Sequence, residues 1–370
     1  MKIVFDHQIF TVQKFGGISR YFSELVKELS LLPDTHIGVY LIFSNNEYIG
    51  DTAHIKHMGF LKRYNFRGKA RVMNFFNKVY SILKLSSTQY NVFHPTYYDP
   101  YFLSYIDKKP FVLTIHDMIH EKFPQFFSPR DKTPMQKRAL AKRCSRIIVP
   151  SNSTKRDVVK ILGIDESKIE VIYHGVVMEE RKVGDLTPNS PPDLPEKYIL
   201  YVGSRKGYKN FTRFLTATSY VIRQLKDIFV ICIGGGKFTN LERKLMQQLN
   251  VADRVIHLEV KSDDLWIYYK NALMFVFPSL YEGFGLPILE AFACGCPVVL
   301  SDIQPFREIA VDAACYFDPE SEESIKSAVL RVLEDAQLKA SLIQAGKDRV
   351  KNFSWKQTAV KTREVYEKVI

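Results

Sequence analysis

The strongest constraint on this chain is one pattern written twice. Short runs of β-branched and aromatic residues alternate with longer segments of helical period on both sides of a proline-rich interruption. Ile3-Val4-Phe5 leads to Gly16-Gly17, after which Ile18, Phe22, Leu25, Val26 and Leu29 recur at the spacing of one helix face. Further strands are expected at 36–43, 91–94, 111–115, 146–149 and 169–173, with crossover helices at 131–143 and 152–162. Between Glu179 and Pro195 the periodicity stops, and Pro188, Pro191, Pro192 and Pro195 stand with Gly184, Asn189 and Ser190. It restarts with strands at 198–202, 228–233, 255–258, 274–277 and 298–300, and helices near 209–225, 240–249, 263–271 and 287–294. Three amphipathic helices near 321–334, 336–350 and 354–369 close the chain. Strand, helix, strand in succession makes parallel sheets, so the expected class is α/β with two doubly wound domains. They span 1–180 and 197–370 with a linker at 181–196, and the last helix is free to pack back on the first domain. Ligands of such sheets sit outside the carboxyl ends of the strands, here in the cleft between two domains.

A chain of 370 residues, 46% hydrophobic and 25% charged, has the composition of a packed globular protein, and disordered and fibrous classes are excluded. The five cysteines are odd in number and set in apolar runs, which fits reduced thiols, and Cys294-x-Cys296 has no second pair to hold zinc. The longest stretch free of Lys, Arg, Asp and Glu, Leu85 to Tyr98, falls short of the ~18 apolar residues of a membrane span. Met1 to Asp6 reads as a first strand rather than a signal peptide, so a cytoplasmic location is expected, with peripheral contact to the inner face of the membrane. The net charge is +12 and is uneven: residues 1–180 hold 26 basic and 17 acidic side chains, the remainder 26 and 23. An anionic partner should therefore meet the first half.

Pro278 to Ala291, PSLYEGFGLPILEA, follows a strand and opens a helix. Gly283 and Gly285 permit backbone conformations closed to other residues, and Pro287 suits the first helical position, so amides should gather at a helix N-terminus suited to an anion. Glu282 lies before this turn and Glu290 inside the helix, poorly placed as the facing acid and base of a glycosidase. Separate hydroxyl-binding roles fit them better, each charge-assisted bond contributing roughly 1.5 to 3 kcal/mol.

The spacing Glu282-x7-Glu290 within EGFGLPILEA resembles the signature of retaining GT-B glycosyltransferases of family 4, and AFACGCPVVLS (291–301) continues it. Gly16-Gly17-Ile18, Thr114-Ile115-His116-Asp117, Val149-Pro150-Ser151, Ile172 to Val176 and Tyr201-Val202-Gly203-Ser204 extend the resemblance over nearly the whole chain. It implies two Rossmann-like domains and a nucleotide diphosphate sugar as donor. It also implies that Glu282 contacts the transferred sugar, Glu290 the ribose, and the amides of Gly283, Phe284, Gly285 and Leu286 the sugar and diphosphate. Gly16 and Gly17 are phosphate-contacting by the same resemblance, and His116 contacts the donor sugar and assists the acceptor hydroxyl. The implied acceptor is a glycan or lipid-linked sugar. The flavour of EGFGLPILEAFACGCPVV tilts the donor toward GDP-mannose, as in bacterial mannosyl- and rhamnosyltransferases of polysaccharide assembly.

No Asp-x-Asp occurs, so no metal or other cofactor is expected, and cations with helix N-termini should meet the diphosphate charge. In Gly203-Ser204-Arg205-Lys206-Gly207-Tyr208-Lys209, Arg205 and Lys209 are the leading pair and Lys206 the runner-up. Related enzymes commonly carry Arg where Tyr208 stands. Gly234-Gly235-Gly236 matches no nucleotide-loop fingerprint and reads as a strand-to-helix turn. The chain offers no convincing nucleophile, and the resemblance implies front-face retention with the leaving phosphate taking the acceptor proton.

From Thr52 to Gln89 there are eight basic residues and no acidic one, interleaved with phenylalanines. This suits an anionic lipid surface; the plainer reading is a solvated helix with its aromatics in the core. Nucleic acid is disfavoured because no recognition motif accompanies the charge. Rival readings are a GT-B nucleotide-sugar 2-epimerase, which needs acid/base carboxylates not found in suitable context, and a non-catalytic nucleotide-sugar-binding module. NAD-dependent oxidoreduction lacks its glycine fingerprint.

Overall fold

The computed structural model describes residues 1–49, 55–61, 63–64, 66–177 and 194–370. Most of the expected linker at 181–196 lies outside the described residues, as does the start of the basic segment at 52–89. The chain divides into two units, Met1–Gly175 with Ser354–Ile370, and Val176–Phe353. Among the described residues every strand pair is parallel, as strand and helix alternation required.

The first unit runs β1 (Lys2–Phe5), α1 (Gln8–Val12), α2 (Gly17–Ser30), β2 (His36–Val39), α3 (Lys69–Ser87), β3 (Val92–His94), β4 (Val112–Thr114), α4 (Ile119–Lys122), α5 (Thr133–Arg143), β5 (Arg146–Val149), α6 (Asn152–Leu162) and β6 (Ile169–Val171). Its strands lie in the orders β2-β1-β3 and β4-β5-β6, and the bridge between Phe93 and Phe111 joins the two trios. Ile3, Val4, Phe5, Val92 and Phe93 are fully buried, which fits strands covered on both faces. α6 shows how local chemistry sets boundaries: the Ser151 side chain accepts from Thr154 N at its start, and Gly163 takes a left-handed conformation (φ 68°) at its end.

β2 is shorter than the strand expected at 36–43, because a side chain takes over the ladder. Asn77 of α3 accepts from Ile42 N (3.1 Å) and Phe43 N (2.8 Å), and donates to Phe43 O (2.7 Å) and Thr11 Oγ1 (2.9 Å). One buried amide thus satisfies the backbone that a neighbouring strand would have paired.

The C-terminal helix, Trp355–Glu367, belongs to this first unit. Thr358 Oγ1 donates to Tyr173 O (2.8 Å), Tyr366 OH meets His94 Nδ1 (2.7 Å), and Arg363 Nη1 donates to Pro33 O (2.8 Å).

The second unit runs β7 (Lys197–Val202), α7 (Phe211–Gln224), β8 (Ile228–Ile233), α8 (Asn240–Gln248), β9 (Val255–Leu258), α9 (Leu265–Asn271), β10 (Met274–Phe277), α10 (Leu286–Ala293), β11 (Val298–Ser301), α11 (Gln304–Ala310), β12 (Cys315–Phe317), α12 (Glu322–Glu334) and α13 (Ala336–Val350). Its single sheet has the order β12-β11-β10-β7-β8-β9. α11 and β12 were not expected: the helix has only seven residues and the strand three, too few to show a period. Phe214, Val221, Val230, Met274 and Val329 form the centre of its core. The chain moves outward from β7 to β8 and β9, then returns to the other side of β7 as β10. The loops after β7 and β10 therefore diverge at the carboxyl edge, the place where doubly wound sheets bind ligands.

Among the described residues no helix is long and apolar enough to cross a membrane.

Gly175 makes the docking of the C-terminal helix testable. A Cβ there would overlap the backbone of Ser354 and Trp355, which has no flexible end to move aside. Gly175→Ala should cost the first unit about 3 kcal/mol or more by overpacking. Urea unfolding followed by tryptophan emission reads this, and an unchanged midpoint would contradict the close approach.

Candidate functional site

At the switch point of the second unit, the loop after β7 brings Lys209 and the loop after β10 brings Glu282 into an ion pair. Leu280 N donates to Tyr208 O (2.8 Å), so the loops are joined through the backbone as well. Ser279 Oγ donates to Glu282 Oε1 (2.7 Å), and the Lys209 ammonium lies 5.3 Å from the ring centres of Tyr208 and Phe277. Only about a sixth of each charged side chain is exposed, 16% for Lys209 and 15% for Glu282. The carboxylate is thus aimed from two sides, while the three-donor ammonium has capacity beyond it.

Arg205 is placed differently from the expected partnership with Lys209. Its Nε donates to Glu242 Oε1 (2.7 Å), Nη1 to Gly234 O (2.7 Å), and Nη2 to Gly236 O (2.6 Å) and Lys237 O (3.2 Å). The guanidinium also faces Phe238 at 4.7 Å. Gly234, Gly235 and Gly236 all have positive φ (88°, 73°, 72°), a run that other residues would strain to adopt, and Arg205 holds the carbonyls of Gly234 and Gly236. This side chain stiffens the turn after β8, where four of its five N–H donors are used. Gly203 N donates to Ile233 O (2.9 Å) and Ser204 O accepts from Tyr201 OH (2.7 Å), so the start of the β7 loop is held from beneath. Lys206 is exposed.

α10 begins at Leu286 behind Gly285, whose φ of 115° turns the chain into the helix. Pro287 is therefore the second helical residue, one later than expected, which suits it equally because that N–H has no intrahelical partner. Gly283, Phe284 and Gly285 are buried in this turn. Glu290 lies on the helix and accepts from Tyr269 OH (3.0 Å). Burial and the adjacent Glu290 push the Tyr269 phenol well up, keeping it a donor.

In the first unit Gly16 caps α2 and Gly17 opens it. Gln13 Oε1 accepts from Ser19 N (3.1 Å), and a Cβ on Gly16 would lie 2.6 Å from that oxygen. The helix start is thus partly satisfied by the chain itself, through a residue that the sequence reading passed over. His116 follows β4 as expected and is buried against Tyr21 and Phe22, with ring centres 5.1 and 5.7 Å away. Its backbone N–H donates to Tyr98 OH (3.3 Å), and its ring Nε2 has no hydrogen-bond partner among the described residues. Burial above all, then His94 and Lys137, lowers the His116 pKa to about 3, so the imidazole is neutral and able to bond a hydroxyl.

Lys137 was also missed, although the signal is in the sequence: it occupies the inward face of α5 with Thr133, Leu140 and Ala141. Fully buried, it donates to Asp117 O and to Glu121 Oε2, both at 3.0 Å, and so locks the turn that follows His116. Ser279 and Tyr269, which orient the two glutamates, carried no signal of their own in sequence. Among the described residues no group of three or more His, Cys, Asp or Glu side chains could hold a metal ion, and all five cysteines are free.

Residues 15–180 match the family described as Glycosyltransferase Family 4, and residues 185–349 match Glycosyl transferases group 1. The chain is similar to an O-antigen chain mannosyltransferase of Salmonella typhimurium, 29% identical over 60% of either chain. It is 25% identical to O-antigen chain mannosyltransferase B of Escherichia coli over 99% of this chain and 100% of that one. An uncharacterized glycosyltransferase of Methanocaldococcus jannaschii is 30% identical over 72% of this chain and 71% of its own length. In structure it resembles a sucrose-phosphate synthase from Thermosynechococcus elongatus, with a TM-score of 0.78, 21% identity, and coverage of 99% and 98% of the two chains. The expected fold class, GT-B with two Rossmann-like domains, agrees with this likeness.

The buried imidazoles give the first unit an acid-side instability. His94 and His116 are each lowered to about 3, and His174 well below its ordinary value, in every case first by burial. In the unfolded chain these groups titrate near 6.5. Below that pH the unfolded state binds more protons, so the stability of the neutral folded form is complete above ~6.5 and is lost as pH falls toward ~3. Each histidine can remove up to about 1.4 kcal/mol per pH unit in this window. Thermal melts at successive pH values should show the decline. His174→Phe, which keeps the stack on Trp355, should make it shallower by about one proton, and an unaltered slope would exclude a buried neutral His174.

Proposed function

The chain belongs to the group 1 and family 4 glycosyltransferases, and from that premise we propose that it transfers a hexose from a nucleotide diphosphate sugar with retention of anomeric configuration. The acceptor in this reading is a glycan or lipid-linked sugar of cell-surface polysaccharide assembly, and the donor is GDP-mannose. The single observation that carries the donor site is the Lys209–Glu282 pair at the switch point, aimed by Ser279. The names of the O-antigen mannosyltransferases support mannose.

In this scheme Glu282 accepts hydroxyls of the transferred sugar while Lys209, still paired with it, donates to the diphosphate through its remaining protons. The amides of Gly283, Phe284, Gly285 and Leu286 add hydrogen bonds to the sugar and diphosphate at the start of α10, and Glu290 takes the ribose hydroxyls. Gly203 and Ser204 border the diphosphate, and Arg205 acts one step back, positioning the glycine turn after β8. In the first unit Gly16 and Gly17 bind phosphate, and the neutral His116 offers Nε2 to a sugar or acceptor hydroxyl. The bond between the anomeric carbon and the phosphate oxygen breaks as the acceptor oxygen approaches from the same face. The acceptor proton passes to the departing phosphate, and Lys209 with the amides offsets the charge that develops there. No metal is required.

Calorimetry with GDP, UDP, ADP and dTDP should rank GDP tightest, and Lys209→Ala should weaken that binding on the order of 10- to 100-fold. Glu282→Ala should lower kcat by about a thousandfold or more with an unaltered circular dichroism spectrum. Turnover at the normal rate by that variant would remove Glu282 from the chemistry. Transfer should also persist in millimolar EDTA, and a strict Mn2+ requirement would reject the metal-free scheme.

A further inference from the structure

α3 of the first unit is amphipathic in the inverted sense. Its buried positions recur every four residues and are Met73, Asn77, Ser81 and Leu85, two of them polar. Asn77 is used up by the backbone at 42–43, and Ser81 by Tyr101 OH (2.7 Å). The outward face instead carries Val72, Phe75, Phe76, Val79 and Leu83, with Phe75 and Leu83 each 62% exposed. At 3.6 residues per turn these five fall within an arc of about 100°, a continuous stripe along a helix roughly 28 Å long. The aromatics expected in the core under the plainer reading of this segment are in large part on the surface. The segment before the helix also exposes Leu61, Tyr64 and Phe66.

The charge beside the stripe has one sign. Between Thr52 and Gln89 the sequence holds eight Lys or Arg and no Asp or Glu. Arg63, Arg67 and Arg71 are exposed. Lys69 donates to Leu61 O and Tyr64 O, both at 3.0 Å, tying the preceding segment to the helix. Lys78 is paired with Asp99 and is not available to a partner. A soluble surface helix does not place five large apolar side chains outward while its inward positions are polar; a helix lying in a bilayer interface does, with cations flanking the apolar stripe.

We propose that the outward face of α3, with residues 55–61, 63–64 and 66–67, docks on an anionic lipid bilayer, the apolar stripe entering the headgroup boundary and the flanking arginines meeting lipid phosphates. Charge complementarity selects this occupant over a second copy of the chain. A symmetric dimer through the same face would bring these arginines against one another with no acidic residue of the segment to offset them. The inference is independent of the donor and acceptor assigned above, and a lipid-linked acceptor would gain from it directly.

Flotation with vesicles of phosphatidylglycerol and phosphatidylcholine, against phosphatidylcholine alone, tests the proposal on the full chain. The wild-type protein should float with the anionic vesicles about tenfold or more better than with the neutral ones, and lose this preference in high salt. The combined variant Phe75→Ser, Phe76→Ser, Leu83→Ser should partition on the order of 100-fold less while binding nucleotide normally. Arg63→Ala, Arg67→Ala, Arg71→Ala should lose about fivefold per cation and most of its salt dependence, which keeps the test decisive should the serine variant fold poorly. Wild-type protein remaining in the aqueous fraction, or either variant floating as the wild type does, would overturn the proposal. So would a wild-type dimer that the serine variant converts to monomer without any vesicle binding, since the face would then be a self-interface.

Discussion

An ammonium and a carboxylate withdrawn together from water, Lys209 and Glu282, set the terms for the second unit. Removing one partner of such a pair strands the other, at about 3 to 5 kcal/mol where burial is complete and less in proportion to remaining exposure. The loops after β7 and β10 are therefore obliged to stay together, and the Leu280–Tyr208 hydrogen bond adds a backbone tie. Adjacent parallel strands, with the chain leaving on one side and returning on the other, are what deliver two such loops to one edge. Arg205 with Glu242 repeats the device one loop away, where the ion pair fixes a turn of three left-handed glycines. The loops after β7, β8 and β10 are thus tethered electrostatically, so this part of the edge arrives preorganised, with its charges already oriented.

The first unit handles polarity differently. Its inner region gathers His116 and His174 around Tyr21 and His94 on the neighbouring Phe22, all buried and all kept neutral by burial. His94 is satisfied at both ring nitrogens, Nδ1 by Tyr366 OH and Nε2 by Thr114 Oγ1, whereas His116 Nε2 has no partner among the described residues. A buried polar atom without a partner costs roughly 1 to 3 kcal/mol, a cost retained most readily where a ligand supplies the missing bond.

The sheets and most of their helices were legible in sequence because burial on both faces writes long apolar runs for parallel strands and a 3.6-residue period for the covering helices. The places of Glu282, before a glycine turn, and Glu290, on the helix after it, were legible because glycine and proline mark such a turn. What stayed hidden depends on contacts made at long range. Arg205 and Lys209 look alike as basic loop residues, and only the carbonyls of Gly234 and Gly236 decide that one is structural. Asn77 reads as an ordinary helix residue until Ile42 and Phe43 come to it, and Gln13 as a loop residue until Ser19 does. The direction in which α3 faces is a tertiary choice, because a stripe of apolar residues has the same period whether it points inward or out.

The first unit is assembled from two stretches of chain that are remote in sequence, with the whole of the second unit spliced between Gly175 and Ser354. During synthesis its sheet emerges early but lacks the segment that carries Tyr366, Thr358 and Arg363, and so His94 has no phenol to bond. The second unit, continuous from Val176 to Phe353, is synthesised before residues 354–370 are. Order of birth and order of completion are thus opposite in this chain: the half begun first is the half finished last, and a chain cut short before Trp355 would keep every residue of the second unit while leaving the first without its closing helix.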